Sequence, residues 1–531
     1  MSAPTVRDAF FDLLRERGMT TLFANPGSTE IPLLTGLPDD LRFVLGLHES
    51  SVVGMATGFA LGRRAPALAI LHTTPGLGNA VSALATSRVN RAPLVVLVGQ
   101  QDRRHLPFEP FLTGQLAGLA GDYPVWVEQP ARAQNVPDAV LRAEHEAMTH
   151  RGPAIVIVPM DDWEAPADTG REPAAPVRVV RAAGADAAAV TELAALLAGA
   201  ERPVLVVGAL ASDHETWSAI VALAERISAP VWEEAFGARA GFPQDHRLFA
   251  GHLPADRPRL RTVLERYDAV LCLGAAAFRQ YGYGEGPFAE GVRVAVVTPD
   301  PAEAHRSAAA LAVLAEPGPV CLELARVLPA REGKPPGPWR PDPLEPGAPL
   351  VAGHVFDALA ARLPRDAVVF EETPSTRPEM IHRLPALDPF GYIGPAMGGL
   401  GFAMPAATGM RLALPDRPVV AVVGDGSAMY SIQALWSAAE YRSGALFVIL
   451  SNGGYEIMNI LARNHGGEPP WPSFRHLDLQ SLAEGFGCES LRVDDHDGLL
   501  RSLDEVVPGL SGRETPLLLE VVVSPEPDFE P

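Results

Sequence analysis

The sequence predicts an α/β protein of three doubly wound domains, each with a parallel sheet covered by helices. Short apolar runs alternate with helix-like segments along the chain, which is typical of parallel sheets buried on both faces. Two proline-rich stretches, 166–176 and 331–349, divide the chain into three parts, because dense proline suits linkers rather than helix interiors or central strands. The chain of 531 residues is also too long for one hydrophobic core, and domains of about 100–200 residues suggest three.

The first part, residues 1–165, is predicted to start with a helix over 6–18, followed by a strand and a turn that reads Asn-Pro-Gly-Ser at 25–28. Its strands are predicted at 21–24, 67–71, 94–98 and 154–158, and a short apolar strand is predicted just before Glu49.

The middle domain is predicted over 185–330 and the C-terminal domain over 350–531. The middle strands are expected at 204–207, 231–233, 269–273 and 294–297. The C-terminal strands are expected at 367–371, 419–423, 446–450 and 517–522. Parallel sheets bind ligands at the carboxyl ends of their strands, so the chemistry is expected there.

Composition excludes several classes of function. Hydrophobic residues make up 47% and charged residues 20% of the chain, as in soluble globular proteins. A net charge of −21 without a basic stripe argues against nucleic acid as a partner. No run of 18 or more apolar residues is present, which argues against a membrane span. Three widely spaced cysteines and an N-terminus without an apolar signal core favour the reducing cytoplasm.

The strongest chemical signal is a buried strand that ends in Gly-Asp-Gly-Ser at 424–427, with a helix predicted from about residue 432. Glycines and a helix start allow close approach of an anion. Asn452 ends the next apolar strand, with 25 residues between it and Gly426, so adjacent strands would place Asp425 and Asn452 side by side. Carboxylate and amide oxygens suit Mg²⁺, which takes further ligands from phosphate and water.

This pattern resembles the thiamine-diphosphate motif of the superfamily that contains pyruvate decarboxylases and acetolactate synthases. The resemblance implies thiamine diphosphate and Mg²⁺ as cofactors, with Asp425, Asn452 and the main-chain oxygen of Gly454 as metal ligands. It places Leu400 as the apolar wedge beneath the bent cofactor. The residues that it implies around the cofactor in this domain are Pro374, Ser375, Gly398, Leu400, Gly424, Gly426, Ser427, Tyr430 and Tyr455.

The resemblance also assigns a role to Glu49, which follows a short apolar strand and opens a helix. Alone, such a glutamate would only favour the helix dipole. In the superfamily, this carboxyl binds the aminopyrimidine and favours the tautomer that acts as a base. Asn79 is likewise expected at the cofactor. The two halves of the site come from different subunits there, which implies a homo-oligomer, a dimer or tetramer, with active sites at the interface.

Within the superfamily, essentially the whole chain is most similar to the benzoylformate decarboxylase family. The matching segments are 25–32, 71–80, 99–102, 161–163 and 398–405. The resemblance implies that Ser28 binds the substrate carboxylate and that His72 relays protons, roles that suit a hydroxyl donor and an imidazole. The expected reaction is non-oxidative decarboxylation of a small 2-keto acid, benzoylformate-like, to an aldehyde, with carboligation left open.

Several positions depart from that family. A second catalytic histidine is expected two residues after the pair Phe278-Arg279, but Tyr281 stands there, and a phenol is poorly matched to proton transfer near neutral pH. Pro374 stands where a threonine is expected, and an alanine and a phenylalanine are replaced by Ile457 and Leu461. His105 is a candidate for the missing proton group, although it suits an exposed loop equally well.

Three alternatives remain in competition. An acetolactate-synthase-like ligase with flavin would need dinucleotide binding, but the middle-domain segment 203–209 lacks Gly-x-Gly-x-x-Gly. A regulatory homologue that keeps only the fold would not need Glu49, Asp425 and Asn452. A simple Rossmann dehydrogenase explains neither the three domains nor Asn452.

Overall fold

The computed structural model describes residues 3–168, 184–337, 339–347 and 349–525. They form three α/β units in chain order, each built on one all-parallel sheet, so the predicted fold class is confirmed. The predicted linker residues 169–176 lie outside the described residues. The described residues of the second linker, 331–349, contain neither helix nor strand.

The N-terminal unit has a six-stranded sheet in the order β2-β1-β3-β4-β6-β5. Its strands are β1 (Thr21–Asn25), β2 (Arg42–Leu45), β3 (Ala67–Leu71), β4 (Leu94–Gln100), β5 (Trp126–Glu128) and β6 (Pro153–Pro159). Its helices are α1 (Val6–Arg17), α2 (Ile31–Leu34), α3 (Glu49–Arg63), α4 (Thr73–Val89) and α5 (Val136–His150). The winding direction reverses between β1 and β3, and their carboxyl ends form the crevice where doubly wound sheets bind ligands.

The middle unit has a six-stranded sheet in the order β12-β11-β10-β7-β8-β9. Its strands are β7 (Pro203–Val207), β8 (Val231–Glu233), β9 (Phe249–His252), β10 (Ala269–Leu273), β11 (Arg293–Thr298) and β12 (Leu311–Leu314). Its helices are α6 (Ala187–Ala198), α7 (His214–Ile227), α8 (Arg257–Leu264), α9 (Pro301–Arg306) and α10 (Pro317–Val327). Here the winding reverses between β7 and β10.

The C-terminal unit has a five-stranded sheet in the order β13-β14-β15-β17-β16. Its strands are β13 (Val368–Glu372), β14 (Val419–Gly424), β15 (Leu446–Ser451), β16 (Glu489–Val493) and β17 (Leu517–Val522). Its helices are α11 (Ala352–Ala360), α12 (Arg377–Arg383), α13 (Ala403–Ala413), α14 (Asp425–Ala428), α15 (Ala434–Glu440), α16 (Glu456–Asn464), α17 (Leu479–Gly485) and α18 (His496–Val506).

Two features of this unit bear on the site. Strands β14 and β15 are neighbours, with Gly424 opposite Leu450, as the motif spacing predicts. The helix expected from about residue 432 begins earlier and in two pieces, because α14 starts at Asp425 itself and α15 starts at Ala434.

The N-terminal and C-terminal units share a hydrophobic core, in which α3 crosses α13 at very short range. A Cβ on Gly58 would lie 1.9 Å from the carbonyl oxygen of Ala406, and one on Gly409 would lie 1.9 Å from that of Met55. Both positions therefore require glycine. Since α3 begins with Glu49, this packing fixes that carboxyl relative to the C-terminal unit of its own chain.

Within the part of the chain that the structure describes, no helix combines the length and the apolar character that crossing a bilayer requires.

Candidate active site

A cavity of about 1130 Å³ lies between the middle and C-terminal units. The predicted site residues that line it are Tyr281, Pro374, Ser375, Gly398, Leu400, Gly424, Asp425, Gly426, Ser427, Tyr430, Asn452, Gly454 and Tyr455. Among the described residues around this cavity, none belongs to the N-terminal unit, so Ser28, Glu49, His72 and Asn79 lie elsewhere. One chain therefore brings together the predicted metal-binding and phosphate-binding residues. The predicted residues of the N-terminal unit do not join them in this cavity.

The loops after β14 and β15 hold the two predicted metal ligands. Asp425 Oδ1 accepts from the Gly426 N–H at 2.7 Å, and Oδ2 accepts from the Gly453 N–H at 2.6 Å. Asn452 Oδ1 accepts from the Gly454 N–H at 3.1 Å. The pKa of the Asp425 carboxyl is raised, mainly by burial. The N–H groups of Gly426 and Gly453 act in the opposite direction and lower this pKa. A bound cation would likewise lower it and favour the charged carboxylate.

This set of residues fits Mg²⁺ with a diphosphate. Asp425 and Asn452 offer a carboxylate and an amide oxygen, and the Gly454 carbonyl adds a third oxygen. Three oxygens cannot complete an octahedral shell, so phosphate and water must supply the other ligands. The loop is also narrow at Gly426, where a Cβ would lie 2.6 Å from the Tyr455 ring.

Glu372 supports the loop that carries Gly398 and Leu400. This residue was not predicted from the sequence. Its carboxylate accepts from the N–H groups of Gly401 at 2.7 Å, Phe402 at 2.8 Å and Ala403 at 2.7 Å. Burial raises the pKa of Glu372 to about 7, although these N–H groups oppose it. The carboxyl holds the start of α13 and therefore the position of Leu400 in the cavity wall. An acidic residue at a buried strand end was the available signal.

The residues that depart from the family pattern lie in the same cavity. Pro374, Ile457 and Leu461 line it. The Ser375 hydroxyl accepts from the Ile457 N–H at 3.0 Å, which ties the loop after β13 to the start of α16. The wall on this side is therefore aliphatic and held in place.

Tyr281 lies at the cavity rim, where its side chain is 74% exposed. His105 is exposed on a loop of the N-terminal unit and is not among the described residues that line the cavity. Within one chain, neither residue is placed as a buried replacement for the missing histidine.

Glu49 lies in the crevice of the N-terminal unit, held between two amides. It is buried at the start of α3. Its Oε1 accepts from Asn25 Nδ2 and its Oε2 from Asn79 Nδ2, both at 3.0 Å. Asn79, which was predicted as a cofactor contact, thus contacts the Glu49 carboxyl in this structure. Asn25, in the Asn-Pro-Gly-Ser turn, was not predicted to lie beside Glu49, and its contact with that carboxyl makes it a further candidate.

His72 pairs with a buried glutamate that the sequence analysis did not select. Its Nδ1 lies 2.9 Å from Glu30 Oε2 and 3.0 Å from Thr29 Oγ1. Glu30 is 2% exposed and also accepts from the Gly27 N–H at 2.8 Å and the Thr29 hydroxyl at 2.5 Å. Such an acceptor favours a proton on Nδ1 and a lone pair on Nε2. Ser28 lies in the same short turn, Ser28–Glu30.

Glycine makes this pairing possible. A Cβ on Gly27 would lie 2.4 Å from the His72 ring, and one on Gly99 would lie 1.7 Å from Glu30 Oε1. In the sequence, Glu30 could have been found as an acidic residue three positions after Gly27, where it can accept the N–H group of the turn. The geometry makes Glu30 a positioning residue for His72.

Replacing Glu30 by glutamine is expected to lower kcat/KM by about 10-fold to 100-fold, the range for a lost hydrogen-bond partner of a functional imidazole. The measurement is kcat/KM with a 2-keto acid, thiamine diphosphate and Mg²⁺, together with the Tm to show that the fold is kept. Glu144→Gln is the control, because Glu144 is also buried, at 8% exposure against 2% for Glu30, but pairs with Arg17. Equal kcat/KM values for Glu30→Gln and wild type would rule out the positioning role.

Fold and site together define a class of protein. Three parallel-sheet α/β units, an Asp–Asn pair of oxygen donors at adjacent strand ends and a buried glutamate that opens α3 are the features of enzymes that use thiamine diphosphate.

Comparison with protein families agrees with that class. The thiamine pyrophosphate enzyme models for the N-terminal TPP binding domain, the central domain and the C-terminal TPP binding domain match residues 4–119, 190–324 and 378–521. The chain therefore belongs to the thiamine pyrophosphate enzyme family, and the cofactor prediction is confirmed for thiamine diphosphate.

Individual proteins within this family differ in their similarity to the chain. Benzoylformate decarboxylase of Pseudomonas aeruginosa is 38% identical over 526 residues, 97% of this chain and 98% of that protein. The structure of a 4-hydroxybenzoylformate decarboxylase of Rhodococcus jostii RHA1 matches with a TM-score of 0.93 at 36% identity, covering 99% of this chain and 100% of that one. The acetolactate synthase isozyme 1 large subunit of Escherichia coli is more distant, at 24% identity over 98% of this chain and 94% of that protein. The chain is thus a thiamine-diphosphate-dependent enzyme closely related to benzoylformate decarboxylase.

Proposed function

We propose that this protein catalyses the Mg²⁺-dependent, non-oxidative decarboxylation of a benzoylformate-like 2-keto acid to an aldehyde. The observation that carries the proposal is the Asp425–Asn452 loop pair, which opens onto a cavity of about 1130 Å³. That volume suits a cofactor together with an aryl-sized substrate. The relatives described above include decarboxylases of benzoylformate and 4-hydroxybenzoylformate, which supports this substrate class.

The residues of this chain divide the work of binding. Asp425, Asn452 and the Gly454 carbonyl hold the Mg²⁺, and Ser427 and Tyr430 contact the diphosphate. Leu400 provides the apolar support beneath the cofactor. When bound, thiamine diphosphate supplies the electron sink that loss of CO₂ requires.

The N-terminal unit supplies acid–base groups. Glu49, held by Asn25 and Asn79, presents its carboxyl to the aminopyrimidine. Ser28 donates to the substrate carboxylate, and His72 moves a proton at Nε2 while Glu30 holds Nδ1.

We also propose that a second copy of the chain completes the site. Glu49 and His72 lie outside the cavity that Asp425 lines, although both halves must reach one cofactor. In one chain the Tyr430 side chain at that cavity is 53% exposed, which suits a surface that a partner covers. The assembly is a homodimer or a tetramer of such dimers. The three cysteines are free and buried, which suits the reducing cytoplasm.

A carboligase that forms acyloins is the second candidate, and Tyr281 favours it. The phenol at the cavity rim is a weaker proton source than a histidine, and slow protonation leaves time for attack on a second carbonyl. The two candidates share every residue that binds the cofactor and differ only in the fate of the carbon left after CO₂ loss.

The test supplies the purified protein with thiamine diphosphate, Mg²⁺ and a panel of aryl and alkyl 2-keto acids. Released CO₂ is measured, and aldehyde and acyloin are separated by chromatography. We expect CO₂ with an equal amount of aldehyde from aryl substrates. Acyloin as the main product would favour the carboligase, and no CO₂ from any 2-keto acid would overturn both.

A further inference from the structure

A glutamate of the middle unit occupies the place where a doubly wound sheet binds nucleotides. Such sheets bind phosphate groups at the carboxyl ends of the strands that flank the reversal of winding, here β7 and β10. Glu234 directly follows β8 and reaches across both loops. Its Oε1 accepts from the Ala209 N–H after β7 at 3.1 Å, and its Oε2 accepts from the Ala276 N–H after β10 at 2.7 Å.

The packing around this carboxylate leaves little space. A Cβ on Gly208 would lie 2.1 Å from Glu234 Oε1, and one on Gly237 would lie 2.9 Å from the Glu234 side chain. The neighbouring Glu233 accepts from the Gly241 N–H with both oxygens, at 3.1 and 3.0 Å. Gly241 in turn packs against Gly208, where a Cβ would lie 2.7 Å from the Gly208 nitrogen. Glu234 therefore connects the loops after β7 and β10, and Glu233 holds the segment at Gly241 against Gly208.

Three arginines lie near Glu234. Arg239 is buried and donates to the carbonyl oxygens of Ala209 and Asn90 and to the Ser212 hydroxyl. Arg279 pairs with Glu303, and Arg377 lies 3.7 Å from Glu371 and donates to the Tyr392 hydroxyl at 3.0 Å. Glu234 is buried, and burial raises its pKa to about 7 against the effect of the Ala209 and Ala276 N–H groups. Both of its oxygens accept backbone N–H groups, which is the arrangement that suits a carboxylate.

We propose that the middle unit contains an oxyanion site, formed by the Ala209 and Ala276 N–H groups, which the chain fills with its own Glu234 carboxylate. Backbone N–H groups on two loops are the donors that phosphates use, and here a side chain uses them. The wild-type protein therefore takes no nucleotide or flavin in this crevice. Removal of the carboxylate opens the site to a small oxyanion such as inorganic phosphate. Glu234 and Ala276 also line the cavity that Asp425 lines, so the site must be tested with the Asp425 loop occupied. The inference does not depend on the proposed reaction.

The test compares Glu234→Ala with wild type by thermal unfolding at pH 8, with thiamine diphosphate and Mg²⁺ in excess so that the Asp425 loop is occupied. Phosphate is added against chloride at equal ionic strength. We expect Glu234→Ala to unfold about 5 °C lower than wild type, because two buried N–H groups lose their acceptor. Phosphate should raise its Tm by roughly 3 °C and leave that of wild type unchanged.

Glu233→Ala is the matched control, because it removes an adjacent buried carboxyl but frees only the Gly241 N–H. It should be destabilised without a response to phosphate. If Glu234→Ala does not fold, Glu234→Ser also removes the carboxylate from the Ala209 and Ala276 N–H groups but keeps a polar side chain at this position. In parallel, calorimetric titration of wild type with ADP and with flavin adenine dinucleotide, again with thiamine diphosphate and Mg²⁺ in excess, should show no binding to the middle unit. Equal phosphate responses in wild type and variant, or stoichiometric nucleotide binding by wild type, would overturn the proposal.

Discussion

Replacing Glu49 by glutamine is expected to lower kcat by about 10³-fold, within the range for loss of a group that controls proton transfer. Both carboxylate oxygens of Glu49 accept amide hydrogens, from Asn25 and Asn79. Glutamine keeps the shape but offers only one acceptor, and it cannot give a proton to the aminopyrimidine. The change should leave the fold and the affinity for thiamine diphosphate nearly intact, because the diphosphate is held by the C-terminal unit.

Two measurements separate this role from a structural one. The rate at which the bound cofactor exchanges its C2 proton for deuterium should fall together with kcat, and the Tm should change little. Asn25→Ala offers a graded comparison, with a decrease of about 10-fold expected, because it removes one donor and leaves the carboxyl in place. Unchanged exchange in Glu49→Gln would show that Glu49 has no activating role.

Replacing Asp425 by asparagine is expected to weaken the binding of thiamine diphosphate with Mg²⁺ by about 10²-fold to 10³-fold, since a buried charged contact is worth a few kcal/mol. Activity should be lost at ordinary cofactor concentrations. Burial raises the pKa of this carboxyl, so the carboxylate is costly without its ion. Asparagine removes that cost, but it leaves either the Gly426 or the Gly453 N–H without an acceptor. The two effects oppose each other, so the variant without cofactor should differ little from wild type in stability.

Calorimetric titration with thiamine diphosphate and Mg²⁺ measures the affinity, and thermal unfolding without cofactor measures the stability. Asp494→Asn is a suitable control, because Asp494 is an exposed carboxyl of the same unit. Treatment of wild type with a chelator should also abolish activity, and added Mg²⁺ should restore it. If Asp425→Asn bound the cofactor as tightly as wild type does, the metal would have to be held elsewhere.

The central strands could be predicted from sequence because both of their faces are buried. β14 reads as a continuous run of apolar residues, and so do β7 and β15. Four strands escaped prediction, and each lies at the edge of its sheet: β5, β9, β12 and β16. Edge strands are short and partly exposed, as in β16, where Glu489, Ser490 and Arg492 interrupt the pattern.

The candidate site residues also divide into those that the sequence predicts and those that it does not. Asp425 and Asn452 were predictable because motif and strand order place them together. Glu30, Glu372 and Glu234 were not found, because their function lies in contacts with backbone N–H groups or with side chains far away in sequence. Periodicity carries no information about such contacts. The separation of Glu49 from the Asp425 cavity within one chain likewise depends on how α3 packs against α13.

We propose that two copies of this chain build one thiamine-diphosphate site, with Glu49 from one copy and Asp425 from the other. The most direct test mixes Glu49→Gln with Asp425→Asn, dissociates and reassembles the subunits, and measures decarboxylation with thiamine diphosphate and Mg²⁺. Each variant alone should be nearly inactive. Random reassembly into C₂ dimers makes half of the dimers mixed, each with one intact site, so activity should return to about a quarter of the wild-type value. No recovery, despite proven exchange of subunits, would contradict the shared site.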